Sequence, residues 1–461
     1  MKFQAIKGVR DILPPESALW NHVEQTAREV FATYGFAEIR LPIFEYTELF
    51  ARSVGTDTDI VAKEMFAFST GEEVVEALQS LSAQQRQELL GNSELATGII
   101  SKAASMSEYA LRPEATASVV RAYIEHGMRT LPGNVKLYYL GPMFRRERPQ
   151  KGRYRQFYQI GAEVLGPSDA PGIDAEVIEM LMAFFSRVKL EGAKLYLNSI
   201  GCKNCRPAYV ERLRAELEKV RAQLGEDSQR RIETNPLRVL DSKLEHEQAI
   251  IERLPRIAEH LCADCRAHYD EVKRQLALRN VSFQENWRLV RGLDYYTRTT
   301  FEITAPGLGS QNAVCGGGRY DSLVELLGGP AATKGIGFAI GTDRLLLSLL
   351  EAGAGEIPVG IDVYVAWLGA AAQPAAVQLA RRLREAGFSV EVPAAEMKFG
   401  KSLSLADRLK ARHAVILGED EIAAGVFTVK RLADGTQQKL AESELFSYLG
   451  AARPQETQGK A

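Results

Sequence analysis

The 461-residue chain has no uninterrupted apolar run of about 18 residues, the length a helix needs to cross a bilayer. It also has no basic start feeding a shorter apolar segment, which would mark a secretion signal. A membrane partner is therefore not expected, and the cytoplasm is the expected compartment. Excess charge of one sign is scarce as well: 57 Lys and Arg stand against 59 Asp and Glu, a net charge of −2. A global field this weak argues against coating DNA, and any nucleic acid must be held by local basic surfaces. Cysteine is sparse. Four of the five form two Cys-x-x-Cys pairs, Cys202/Cys205 and Cys262/Cys265, which without a secretion signal suggest metal before disulfide. Cys315 stands alone. No repeat or low-complexity block is present. The remainder, 46% apolar and 25% charged, suits a globular chain with two or three cores.

Apolar residues at Leu19, Val23, Ala27, Val30 and Phe31 follow Pro14 and Pro15, predicting a helix over 16–34. Residues 37–43 read as a strand, 44–54 as a helix, and 74–90 as part of an inserted helical arm spanning about 70–107. Strand-like pieces at 65–68 and 109–111 flank that arm. Residues 135–164 read as an antiparallel hairpin with an arginine-dense loop. Charged helical sequence with both cysteine pairs marks an insertion at 198–282. Strand and glycine patterns return over 288–341 and lead into a helix at 344–350. A small-residue linker follows at 352–360, and then strand alternates with helix from 363 to 430, as in a small α/β unit. The end, 449–461, reads as a frayed tail.

The hairpin segment MFRRERPQKGRYRQFYQIGAEV (143–164) carries the most chemistry. Its loop gathers Arg145, Arg146, Arg148, Lys151, Arg153 and Arg155, a concentration that in isolation reads as a solvated basic loop. Arg145 at the strand end and Glu147 two residues on share a face, as do Gln159 and Glu163 on the returning strand. Arginine grips phosphate oxygens bidentately and keeps its charge, which suits a triphosphate undergoing displacement.

This segment resembles motif 2 of the class II aminoacyl-tRNA synthetases, and its wording FRxERPQKGRYRQFxQ is similar to the histidyl family. FAEIRLPIFEYTELFARSVG (36–55) resembles the dimer-forming motif 1, and GIGFAIGTDRLLLSLL (335–350) resembles motif 3. LVRGLDYYTRTTFEI (289–303) and AVCGGGRYDSLV (313–324) resemble the two histidine signatures. Without motif 2, those two would read as a strand entering a core and a tight glycine bend.

The resemblance implies an α+β catalytic domain on an antiparallel sheet, split into 1–197 and 283–351 by the insertion, and a C-terminal α/β anticodon-binding domain at 358–448. It implies L-histidine, ATP, Mg2+ and tRNA(His) as partners, and a homodimer. Catalysis falls to Arg291 with Arg145. Histidine falls to Glu114, Ala115, Thr116, Gln159, Glu163, Tyr295, Tyr296 and Tyr320, with Glu163 and Tyr296 on the imidazole nitrogens, whose buried polar partners would reject apolar isosteres. ATP falls to Arg145, Glu147, Arg153 and Arg344, with Glu147 at the adenine amino group, and the RNA to Arg148 and Gln150.

The four cysteines suit tetrahedral zinc, although the pairs lie much farther apart than in a zinc ribbon. A structural zinc and four reduced thiols both remain open. His260 and His268 read as packing or surface residues. Ala115 replaces the usual glycine after Glu114, Asp343 stands where glutamate commonly precedes the motif 3 arginine, and the arm is long. Two rivals exist. One is a synthetase-like regulatory subunit that binds histidine without charging RNA. The other is a P-loop hydrolase suggested by Gly400-Lys401-Ser402, which fails because Ala395 occupies the place of the first glycine.

Overall fold

The computed structural model describes residues 3–55, 58, 60–69, 79, 82, 108–309, 312–353 and 360–451. Apart from two isolated positions the expected arm lies outside the described residues, as do most of the expected linker and tail. The chain divides into two compact units, Met1–Glu356 and Ile357–Ala461. No helix among the described residues is long and apolar enough to cross a membrane.

The first unit is built on strands β1 (Ala37–Glu38), β2 (Phe44–Tyr46), β3 (Ala67–Phe68), β4 (Tyr109–Leu111), β5 (Val135–Phe144), β6 (Gln156–Gly166), β7 (Lys194–Ser199), β8 (Gln284–Glu285), β9 (Thr297–Thr304), β10 (Ala313–Arg319) and β11 (Lys334–Gly341). Eight of them form one sheet in the order β1-β5-β6-β11-β10-β9-β7-β8. Its interior pairs are antiparallel, and only the edge pairs β1/β5 and β7/β8 run parallel. β2, β4 and β3 make a small side sheet.

The helix Glu16–Thr33 buries Leu19, Trp20, Val23, Ala27, Val30 and Phe31 along one stripe. Phe31, wholly buried, meets Tyr138, Phe184 and Phe338 with ring centroids 5.6–5.9 Å apart. Cutting it to alanine would cost about 3–5 kcal/mol. Glu16 in the first turn of that helix accepts from Arg10 at 2.8 and 2.7 Å, a carboxylate at the helix's positive end. The helices Pro171–Arg187 and Ala263–Leu278 pack together.

Two segments differ from expectation. Residues 44–54 begin as strand β2 and become helical only at Thr47, because Phe44–Tyr46 pair with Leu111–Tyr109. Tertiary pairing there overrides a local helical pattern. The strand expected over 37–43 is confined to Ala37–Glu38; farther on, the carbonyls of Leu41 and Pro42 accept from the Arg112 guanidinium rather than from a neighbouring strand, and Pro42 has no N–H to give a ladder.

In the second unit β12 (Val363–Trp367), β13 (Val390–Glu391), β14 (His413–Leu417), β15 (Val426–Arg431) and β16 (Gln437–Ala441) form a sheet ordered β13-β12-β14-β15-β16. Gly400, Lys401 and Ser402 lie inside the helix Phe399–Arg408, with Ser402 buried 3.1 Å from the Tyr364 hydroxyl. They form no loop that could wrap a phosphate.

Candidate active site

Gln159 and Glu163 lie four positions apart on β6 and share a face, as alternation requires. Glu163 is 1% exposed. Its register partner on β11 is Gly337, where a Cβ would overlap the Glu163 carboxyl and crowd the Ala162 carbonyl. Thr116 Oγ1 donates to Glu163 Oε1 at 2.7 Å, and the Tyr320 hydroxyl donates to Oε2 at 2.5 Å. Glu114, also buried, accepts the N–H groups of Thr116 and Ala117 at 2.7 and 3.0 Å, at the start of the helix Thr116–Glu125. Those amides have no partner within the helix, so the carboxylate satisfies both.

Burial pushes the Glu163 carboxyl up to about 8; the hydroxyls of Tyr320 and Thr116 pull against it, and the nearby Glu114 adds to it. Burial also raises Glu114, against the two amides. Tyr295 and Tyr296 are buried beside this pair of carboxyls, with rings 4.7 Å apart, and Tyr295 meets Tyr320 edge-on at 5.7 Å. Ala115 is fully buried in the same apolar cluster as the three tyrosines.

The other end of the site is cationic. Arg145 follows β5, donates through Nε to the Pro113 carbonyl at 3.0 Å, and lies 5.1 Å over the Phe157 ring. Glu147 holds Arg153 at 3.0 Å and faces Arg145 at 3.7 Å. Arg291 donates to Glu302 Oε2 at 3.1 Å. It presses against Gly316, where any Cβ would collide with the guanidinium, so the glycine run of the second histidine signature is a seat for this arginine. Arg344 stands in the first turn of the helix Thr342–Glu351, and desolvation, with the charge of Arg153, pulls its pKa below the usual arginine value.

Arg145, Glu147, Arg153 and Arg291 line both a cleft of about 640 Å³ and an adjoining pocket of about 200 Å³. The smaller also takes in Gln159, Gly316 and Arg344. Gln159 Oε1 and Arg291 Nε are buried without a hydrogen-bond partner among the described residues, as suits atoms that meet a ligand. Arg148 and Gln150 line neither cavity. Both are exposed on the loop, where Gln150 and Arg153 exchange backbone hydrogen bonds at 3.1 and 2.9 Å.

Several contributors carried no signal in sequence. Glu302 is one charged residue within the strand TRTTFEIT, and only its register opposite Gly316 brings it to Arg291. Arg238, Lys243 and Arg288 add positive charge to the larger cleft from the insertion and its exit. Asp343, the shorter acid, is satisfied: it accepts the Tyr158 N–H at 3.0 Å and Arg10 at 3.1 Å, and Arg10 also clasps Glu16. Away from the cleft, the sulfurs of Cys202, Cys205, Cys262 and Cys265 come within 4.8 Å of one another. His268 bonds the Asp169 carbonyl at 3.1 Å and His260 packs against Tyr209 at 5.6 Å, so both are packing residues.

A family model described as histidyl-tRNA synthetase matches residues 8–74 and 73–345, and one described as anticodon binding domain matches residues 362–451. The chain belongs to the histidyl-tRNA synthetase family. A histidine-tRNA ligase of Koribacter versatilis is 52% identical over 450 residues, covering 97% of this chain and 96% of the relative. One from Solibacter usitatus is 49% identical, covering 97% and 99%. The apo S. aureus histidyl-tRNA synthetase structure superposes with a TM-score of 0.74 at 33% identity, over 97% of this chain and all of that one. A Bacillus halodurans structure titled as an ATP phosphoribosyltransferase regulatory subunit/histidyl-tRNA synthetase shares the fold, with TM-score 0.60 at 20% identity, covering 91% of this chain and 99% of that one. Histidyl-tRNA synthetase family membership makes the chain an ATP- and Mg2+-dependent ligase with an anticodon-binding domain.

Proposed function

We propose that the cleft carries out histidine activation as follows. The imidazole enters beside Glu163 and Tyr296, the ammonium sits by Glu114, Thr116 and Gln159, and the carboxylate reaches Arg291. The observation that carries this reading is strand β6, which leads from Gln159, in the smaller pocket with Arg145, Arg153, Arg291 and Arg344, to the buried, hydroxyl-bonded carboxyl of Glu163 on the same face. The histidine carboxylate attacks the α-phosphorus of ATP and pyrophosphate leaves. Arg145 and Arg291 stabilise charge on the in-line transition state, and Arg153 and Arg344 hold the outer phosphates. Glu147 takes the adenine amino group. Glu302, a carboxylate beside Arg291, would supply a hard oxygen to Mg2+. The 3′ hydroxyl of tRNA(His) then attacks the histidyl carbonyl and AMP leaves, with the adenylate's own phosphate receiving the proton, since no side chain among the described residues stands as an obvious base.

In the same reading residues 1–197 and 283–351 form the catalytic domain, 198–282 the insertion and 358–448 the anticodon-reading domain. Arg148 and Gln150 meet the acceptor end of the RNA, and the site of action is the cytoplasm. Four cysteines enter as a structural zinc site that takes no step in the reaction. The chain acts as a homodimer: Phe44, Tyr46 and Phe68, exposed around Tyr109 on the side sheet, form an aromatic face suited to a second copy. Pyrophosphate exchange into ATP measured with each of the twenty amino acids, followed by charging of tRNA(His), tests the proposal. Exchange with histidine alone, then charging, is expected. Histidine binding without exchange would replace it with a regulatory role.

A further inference from the structure

Cys202 and Cys205 lie in the turn between β7 and the helix Arg206–Lys219, and Cys262 caps the helix whose first turn holds Cys265. Three sulfur separations are 3.8, 3.9 and 3.9 Å. A disulfide would need about 2 Å, whereas a tetrahedron of thiolates around zinc at about 2.3 Å has edges of about 3.8 Å. Backbone amides already point at the sulfurs: Cys202 N–H at Cys205 Sγ, 3.3 Å, and Asn204 N–H at Cys202 Sγ, 3.4 Å. Gly201, at φ +68°, makes room, since a Cβ there would stand 2.8 Å from Cys205 Sγ.

The turn that carries the first cysteine pair also grips the segment just after the tyrosine pair. Arg206, next to Cys205, donates Nη1 to the Tyr296 carbonyl at 2.6 Å. Arg298 N–H donates to the Gly201 carbonyl at 2.8 Å, and Ile200 N–H to the Arg298 carbonyl at 2.8 Å. Arg298 is held at φ +51°, a conformation a non-glycine residue adopts only when its surroundings impose it. The insertion's apolar core, including Tyr209, Leu213 and Leu240, is continuous with Tyr295 and Tyr296.

We propose that Cys202, Cys205, Cys262 and Cys265 bind one zinc ion, and that this centre fixes the Tyr295–Tyr296 corner of the pocket, with Arg206 as the positioning residue. The second half rests on the histidine-activating reading of that pocket. The ion joins two chain segments that are distant in sequence, so it holds the turn, and through Arg206 the turn holds the tyrosines.

The full chain, purified without chelator, is analysed for metal, and a sample reconstituted with cobalt is examined for the absorption of tetrahedral tetrathiolate cobalt. About one zinc per chain and that spectrum are expected. A folded chain without bound zinc and without the cobalt spectrum would overturn the site. Arg206→Ala, which removes no ligand, should keep its zinc and raise the histidine KM about tenfold while leaving the ATP KM unchanged, the loss expected for one charge-assisted hydrogen bond. Arg206→Lys should recover part of it. Unchanged histidine KM, or equal rises in both KM values, would overturn the coupling while leaving the metal site standing. Failure of the activation reading is separately visible, as absence of histidine-dependent exchange in the unmodified chain with its zinc in place.

Discussion

The two ends of the site, the buried carboxyl cluster and the arginine-lined pocket beside it, are built on opposite principles. At the inner end Glu163 and Glu114 are a few percent exposed, and their oxygens are already bonded to Thr116, Tyr320 and backbone amides. At the outer end Arg145, Arg153, Arg291 and Arg344 line open volume and share two carboxylates, Glu147 and Glu302. The inner end is suited to discrimination, because a buried group left unpaired by the wrong ligand costs its full desolvation penalty. The outer end is suited to catalysis, because fixed positive charge meets the charge that develops at phosphorus without reorganising.

If this division holds, Arg291→Ala should have the largest effect. Loss of transition-state stabilisation of about 3 kcal/mol, on the order of a hundredfold in pyrophosphate exchange rate, is expected with histidine affinity affected far less. Near-normal exchange would remove Arg291 from the reaction.

Gly337→Ala attacks the inner end. The added methyl overlaps the Glu163 carboxyl and the neighbouring Ala162 carbonyl, and overpacking of this kind costs about 1–3 kcal/mol. The damage should appear in histidine KM and in the denaturation midpoint, with ATP KM spared. An equal loss of ATP binding would mean the two ends are not separable.

A gentler probe is pH. In the folded chain Glu163 holds its proton up to about 8, against an ordinary value of 4.5, so between those values the native state binds a proton that the unfolded state has released. Its contribution to stability is full below 4.5 and is lost as pH rises through about 8. Glu163→Gln should flatten that decline in denaturant titrations run across the window. Parallel curves for the two proteins would show that Glu163 is not the group responsible.

Smallest of all should be Arg148→Ala, on the exposed loop outside both cavities. Exchange should be unchanged, while tRNA charging weakens by about 1 kcal/mol and less steeply at high salt, as for a lost phosphate contact. A matching loss in exchange would move Arg148 into the activation site.

How far the site was legible follows from how local each feature is. Arg145, Glu147, Gln159 and Glu163 sit within one hairpin, where alternation sets the common face of Gln159 and Glu163 on β6 and the loop just after β5 carries Arg145 and Glu147, so the sequence places them together. The helix Glu16–Thr33 was equally legible from its apolar stripe, and the α/β rhythm beyond Val363 from alternating strand and helix patterns. By contrast, residues 44–54 depart from the helical expectation because β2 exists only through its pairing with β4, and nothing local in β9 ties Glu302 to Arg291, which it meets through the register opposite Gly316.

The sequence by itself determined the family, the order of the motifs and the chemical types at the cleft, since short-range periodicity and fixed motif wording carry that information. Only the tertiary structure decided that Gly337 faces Glu163, that Gly316 seats Arg291, and that four cysteine sulfurs gather within 4.8 Å of one another. Those meetings depend on sheet register and on packing between distant segments. No local pattern encodes either, because register is fixed by which faces are buried against each other once the whole chain has folded.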